Sequence, residues 1–182
     1  RQCTGGHGCN EVRYRVVGVS GNSDYLQVAG NGTLVFGTGD FTIEFWFRTN
    51  AVATAQDIVD MRPASTNGSY PRIVLSSSAM LYYVGGSTQI TSSTLSSDTW
   101  YHVAIARSGS STKMFIDGTQ AGSTYSDSTD YDCSRLMIGT SSYSPGTNDV
   151  DGYIDDLRIT KGIARYTADF TPPEAELPVI GA

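Results

Sequence analysis

Few residues in this chain are of a type and spacing that could do chemistry. In the segment 41–48, FTIEFWFR, strict alternation puts Phe41, Ile43, Phe45 and Phe47 on one face and Thr42, Glu44, Trp46 and Arg48 on the other. The first face is a core face. The second sets an indole beside an acid and a guanidinium, which has two readings. It is either a half-open concave sheet surface that meets a ligand, or a covered one in which Trp46 packs under a loop and Glu44 pairs with an arginine. The segment 100–107, WYHVAIAR, puts Tyr101, Val103 and Ile105 on one side and His102 with Ala104 and Ala106 on the other. No serine or cysteine nucleophile is arranged with His102, so it reads as a structural histidine. The other histidine, His7, lies between Cys3 and Cys9 at a spacing that matches no zinc pattern. Cys3 and Cys9 are close enough to close a small disulfide loop, which would place the chain in an oxidising setting. Cys133 is then either a buried free thiol or a partner for one of the first two.

These side chains need strands to hold them. The stretch 151–170, DGYIDDLRITKGIARYTADF, opens on an Asp-Gly turn and continues as a strand in which Leu157 and Ile159 alternate with Asp156, Arg158 and Thr160. Lys161-Gly162 breaks it, and two prolines follow Phe170 and Thr171. A strand so late in the chain is expected to pair with 41–48, closing a sheet by long-range contact. Further strands are expected at 12–19, 25–28, 57–61, 72–75, 80–84, 113–117, 119–123 and 136–139. Asp117-Gly118 is a hairpin turn between two of them. The stretch 90–98 reads as a variable polar segment, and 63–70, 127–133 and 141–152 as loops. About a dozen short strands at close spacing are the pattern of a sandwich or jelly roll. The expected organisation is an arm or linker over 1–11, one domain over 12–173, and an extended tail over 174–182.

Composition agrees. The 182 residues suit one domain, aromatics reach 10%, charged residues only 16%, and no long window has a helical apolar period. The reading is an all-β protein. The net charge of −6, with 12 dispersed Lys and Arg, excludes a phosphate-binding patch and hence nucleic acid as a partner. An acidic loop surface could suit calcium, although solubility accounts for it equally. No apolar run is long enough to span a membrane as a helix, so no membrane insertion is expected. A chain that begins at Arg1 is expected to be a processed product, an excised domain or part of something longer. Asn31-Gly-Thr and Asn67-Gly-Ser satisfy the glycosylation acceptor pattern in turns.

Four stretches in register, GTGDFTIEFWFR, DTWYHVAIARSG, KMFIDGTQ and DGYIDDLRITKGIARYTADFTPP, resemble the laminin-G-like (LamG) branch of the concanavalin A-like lectin/glucanase superfamily. Within it they resemble the domains of phage structural proteins and marine microbial surface proteins. The resemblance covers roughly 16–173 and implies an antiparallel two-sheet jelly-roll sandwich. Fold does not give function here, because members include lectins, hydrolases, lyases, adhesion modules and virion decorations.

The hydrolase branch implies a Glu-x-Asp-x-x-Glu or Glu-x-Asp-x-Glu strand. The four glutamates, Glu11, Glu44, Glu174 and Glu176, sit in no such motif, and Trp46 stands where Glu44 would need an Asp. An unusual pair of Glu44 with Asp155 or Asp156 would be the only substitute. The expectation is no catalytic residue. Carbohydrate binding is the better expectation, with sugar rings stacking on Tyr70, Tyr131 and Tyr143 in polar loops and on Trp46 and Tyr82 or Tyr83 along the concave sheet. Many relatives hold calcium at the sandwich rim, which implies Asp149 with Asp151, or Asp127 with Asp130 and Asp132, as oxygen ligands; neither group matches an EF-hand loop, and both read at least as well as ordinary solvated turns. The other class of role is a virion decoration or fibre head contacting coat subunits or its own copies. In that case the tail 171–182 would be an arm over a neighbour, a strap across its own sandwich, or an exit to a next domain. Either role places the chain on a virion or at an extracellular surface.

Overall fold

The computed structural model describes residues 11–14, 19–20, 24–30, 32 and 34–175. Its elements are all strands: β1 (Glu11–Tyr14), β2 (Val19–Ser20), β3 (Leu26–Ala29), β4 (Val35–Gly37), β5 (Phe41–Thr49), β6 (Gln56–Asp60), β7 (Arg72–Ser76), β8 (Ala79–Val84), β9 (Ser87–Thr94), β10 (Tyr101–Ser108), β11 (Ser111–Ile116), β12 (Thr119–Ser126), β13 (Tyr131–Asp132), β14 (Arg135–Ile138) and β15 (Asp151–Lys161). No helix in the described residues is long and apolar enough to cross a membrane.

Two antiparallel sheets form a sandwich. One runs β1-β15-β5-β10-β11-β12, with β2 also pairing β15, and the other runs β3-β14-β6-β7-β8-β9. The expected long-range pairing is present, with β15 lying directly on β5. The alternation of β5 works as read: Phe41, Ile43, Phe45 and Phe47 are fully buried between the sheets, against residues such as Ile58, Ile73, Leu75, Met80 and Tyr82 of the facing sheet. The same logic buries Val103 and Ile105 from β10 and Ile154, Leu157 and Ile159 from β15. Asp117-Gly118 turns β11 into β12, with both residues at positive φ.

Some local readings fail. The variable polar stretch 90–98, with no strand expected in it, begins inside one: β9 occupies Ser87–Thr94 as an edge strand on β8. Its inward residues are Ile90 and Ser92, and the serines and threonines around them hid the strand. The loop expected at 127–133 contains β13, which pairs β4 in a two-stranded ribbon. That ribbon is held by Arg107, fully buried, whose guanidinium donates to the carbonyls of Gly37, Gly39 and Thr129 and lies over the rings of Phe41 and Tyr131. Cys133 is a buried free thiol, pushed up to about 12 by burial and the nearby Asp132 charge. Cys3, His7, Cys9 and Asn31 lie outside the described residues.

Candidate functional site

Cross-strand partners share a sheet face, so the registers of β15, β5 and β10 arrange the outward side chains in rows. Asp155, Trp46 and His102 form one row, and Arg158, Glu44 and Ala104 the next. Thr160, Thr42 and Ala106 follow. Beyond the first row, Tyr153 pairs with Arg48. Trp100, just before β10, comes to lie beside them, its ring centroid 6.2 Å from that of Tyr153.

The lower rows are covered by the chain itself. After β15 ends at Lys161, residues 162–175 cross this outer face as a strap. Thr42 anchors its start, donating from Oγ1 to the Ile163 carbonyl and accepting from the Arg165 N–H, each at 2.9 Å. Further along, the Lys113 ammonium donates to the Thr167 carbonyl, Asp169 accepts from the Gln120 N–H, and the Phe170 N–H donates to Gly118 O. Tyr166 and Phe170 stack at 3.6 Å and pack on Ala104, Ala106 and Phe115. The two alanines leave the room those rings fill. Gly118 permits the approach: at φ +77° its missing Cβ would stand 1.9 Å from the Phe170 carbonyl oxygen.

Under the strap, Glu44 is a buried hub. Its carboxylate accepts from Arg158 Nε at 2.9 Å and from the Tyr166 hydroxyl at 2.7 Å, while His102 Nε2 stands 3.5 Å away. Burial alone would raise the Glu44 carboxyl; His102, the Arg158 charge and the Tyr166 hydroxyl outweigh it and hold it below the ordinary value. Of these neighbours His102 is the weakest by geometry, since neither ring nitrogen makes a hydrogen bond. Burial and the Glu44 charge push the Tyr166 hydroxyl up. The covered reading of this face therefore holds for Glu44 and for His102, whose ring is enclosed by Trp46, Tyr166 and Phe170.

In the first row only His102 is covered; Trp46 and Asp155 stay partly exposed, as does the surface beyond them. Trp46 and Trp100, with Asp155 and Asp156 beneath them and strap residues 171–175 as the opposite wall, line a cleft of about 670 Å³. Its size is that of a small-molecule site. A β-bulge builds its floor: between Asp155, opposite Trp46, and Arg158, opposite Glu44, β15 carries one residue more than β5. Asp156 takes a positive φ of 52° there, and two consecutive aspartates line the cleft, Asp155 partly exposed and Asp156 buried, while Ile154 and Leu157 both stay in the core. Trp100 is 43% exposed and Tyr153 38%, so the aromatic surface continues past the cleft mouth, where Arg48 lies over Tyr153 and pairs with Asp98.

The other expected site residues are dispersed. Tyr131 is fully buried and donates to Asp127, so no sugar can reach its ring; the polar letters around it masked a core strand. Tyr82 is likewise in the core. Asp127 is buried and spent on Thr112, Tyr131 and the Thr129 N–H. Tyr70 is half-buried against the core, and Tyr143 is exposed with the Arg62 guanidinium over its ring. Tyr83 similarly carries Arg72. Asp149 accepts from Thr140 Oγ1 and Asp151 from Asn50 Nδ2, each tying down a loop. Among the described residues no group of three or more His, Cys, Asp or Glu is placed to hold a metal ion. Trp46 alone of the expected binding residues lines the cleft. Trp100 was missed; its signal is parity, since it lies two residues before His102 and so shares the outward face.

A family model described as the concanavalin A-like lectin/glucanases superfamily (Laminin_G_3) matches residues 20–164, and the chain belongs to that superfamily. No curated protein matches it. Among solved structures, domain 4 of AbnA, an extracellular arabinanase from Geobacillus stearothermophilus solved with arabinotriose, is similar at TM-score 0.62 and 14% identity, over 86% of this chain and 78% of that one. The NanB sialidase of Streptococcus pneumoniae is similar at TM-score 0.64 and 12% identity, over 85% of this chain but only 27% of its own. Botulinum neurotoxin type C, whose cell entry depends on two ganglioside molecules, gives TM-score 0.53 and 17% identity, over 76% of this chain and 37% of the toxin chain. At these identities the likeness is one of fold.

Proposed function

We propose that this member of the concanavalin A-like lectin/glucanases superfamily is a non-catalytic carbohydrate-binding domain whose saccharide lies in the Trp46–Trp100 cleft. The observation that carries the reading is the pairing of two indoles with two aspartates in one open cleft. Sugar rings present apolar C–H faces that stack on indoles, and their hydroxyls donate to carboxylates, which only accept. The fold is shared with an arabinanase domain solved with arabinotriose, which supports the same class of ligand. Binding without bond cleavage is supported by the state of Glu44. It is fully buried beneath the strap and committed to Arg158 and Tyr166, so it is unavailable as an acid or nucleophile. On the resemblance noted above, the domain is assigned to a virion or cell surface, where it would recognise glycans of a host or partner.

A glycan-array screen of the purified domain tests this beside Trp46→Ala and Trp100→Ala. The expected result is saccharide binding that each substitution weakens about tenfold or more, the range of a stacked anchor residue. Binding by no saccharide, from a folded sample, would overturn the reading in favour of a structural virion decoration. The same screen run with calcium and with a chelator tests the metal expected at Asp149 and Asp151. Binding lost under chelator would support calcium, and indifference would discard it.

A further inference from the structure

We infer that the site continues outside the cleft, where the exposed ring of Tyr153 stacks a further sugar unit. The ligand class is then an oligosaccharide chain rather than a single sugar. The inference rests on the carbohydrate reading above. Tyr153 pairs with Arg48 and Asp155 with Trp46, so Tyr153 stands one row out from the cleft floor. Residues that follow one another on one face of a strand are about 6.5–7 Å apart, so this row adjoins the cleft mouth. There the Trp100 ring, itself a wall of the cleft, comes within 6.2 Å of the Tyr153 ring, with the two planes turned 46° from each other. Both residues are exposed.

Stacking needs a sugar face laid flat on an aromatic face. One sugar ring lies flat on one plane at a time, so two planes 46° apart serve two units rather than one. The glycosidic linkage between the units supplies the turn. Tyr153 is also held ready: the Arg48 guanidinium lies 5.2 Å from its ring centroid and pairs with Asp98 at 2.5 Å. The guanidinium backs one face of the ring and leaves 38% of the residue exposed. A ring already positioned loses little side-chain freedom on binding, and its hydroxyl can donate to a sugar or accept from one. The opposite direction is shut. Beside and beyond Trp46, Tyr166 and Phe170 enclose His102 and pack on Ala104, so the strap occupies the path a chain would take along the strands. A chain seated by one end between Trp46 and Trp100 therefore grows along the strands toward Tyr153.

The test is calorimetric titration with ladders of malto-, cello-, xylo- and N-acetylchito-oligosaccharides, each run from the monosaccharide to the hexasaccharide. On a ladder that binds, affinity should rise about tenfold or more between the disaccharide and the tetrasaccharide, the scale of one stacked ring, and then level off. Tyr153→Ala should remove that gain while leaving the disaccharide within about twofold of wild type. Tyr153→Phe keeps the ring and should keep the gain. Affinity that does not change with length, with Trp100→Ala still weakening every rung, would overturn the second subsite and leave the carbohydrate reading standing. So would a length gain that Tyr153→Ala preserves. Failure of every rung to bind the folded protein would overturn that reading and this inference with it.

Discussion

Burial and pairing act in opposite directions on Glu44, and pairing wins. Its ordinary value is 4.5 and its folded value is lower, so its stabilising contribution is fully present above about 4.5 and disappears as pH falls through the folded value. Asp57 runs the other way. Burial, with Asp60 nearby, raises it despite Arg72, so the folded state takes up its proton first and acidification favours folding through it. Chemical denaturation of wild type and Glu44→Gln across pH 3 to 7 (roughly the carboxylate range) isolates the contribution of Glu44. The variant should be less stable near neutrality, and the gap should close as pH falls below about 4.5; a gap that widens in acid would contradict the pairing. Glu44→Ala should cost about 3–5 kcal/mol, because it strands the buried Arg158 charge. Arg107→Met should cost a similar amount, about 3–5 kcal/mol, by releasing three carbonyls and Asp127. At this scale the sequence was legible where alternation held. Glu44, Trp46 and His102 fall on the outward face as read, and the four inward residues of β5 are all buried. Tyr131 was illegible because its partners, Arg107 and Asp127, are polar residues that make a core position look like a loop.

The strap and the bulge are the elements that make the cleft. Gly118→Ala should destabilise the protein by about 1–3 kcal/mol, through its left-handed backbone and the collision with Phe170. Phe170→Ala removes a stacked ring from the second cluster and should cost about 2 kcal/mol, below a full core deletion because the ring is only half-buried. Both losses are read from thermal or urea unfolding. Both variants should also bind saccharide more weakly, since residues 171–175 form a wall of the cleft. Unchanged binding would mean that the strap is dispensable to the site. The pairing of β15 with β5 and the break at Lys161-Gly162 could be read from pattern alone. The bulge also left a trace, since Ile154 and Leu157, both core residues, are three apart where alternation demands an even step. The strap left less. Tyr166 and Phe170 sit in an irregular segment, and their receptor is a pair of alanines on a strand far away in sequence.

As a whole the molecule is a sandwich that keeps one sheet face partly for itself and leaves the rest open. The covered part holds buried charge and a satisfied carboxylate; the open part holds aromatic rings and acids beside solvent. The division is set by where residues 162–175 cross, so the sandwich is legible from strand pattern but the site is not. Its position depends on registers that join residues more than a hundred positions apart, such as Trp46 with Asp155. The chain has two tryptophans, and both line the cleft. Intrinsic tryptophan fluorescence therefore reports from the cleft alone, and the decisive measurement is its titration with the saccharide that binds best on the array. A saturable change in intensity or emission maximum, at the same midpoint as binding measured calorimetrically and strongly reduced in Trp100→Ala, is the result expected. Calorimetric binding with silent tryptophans and an indifferent Trp100→Ala would place the saccharide elsewhere and contradict the account.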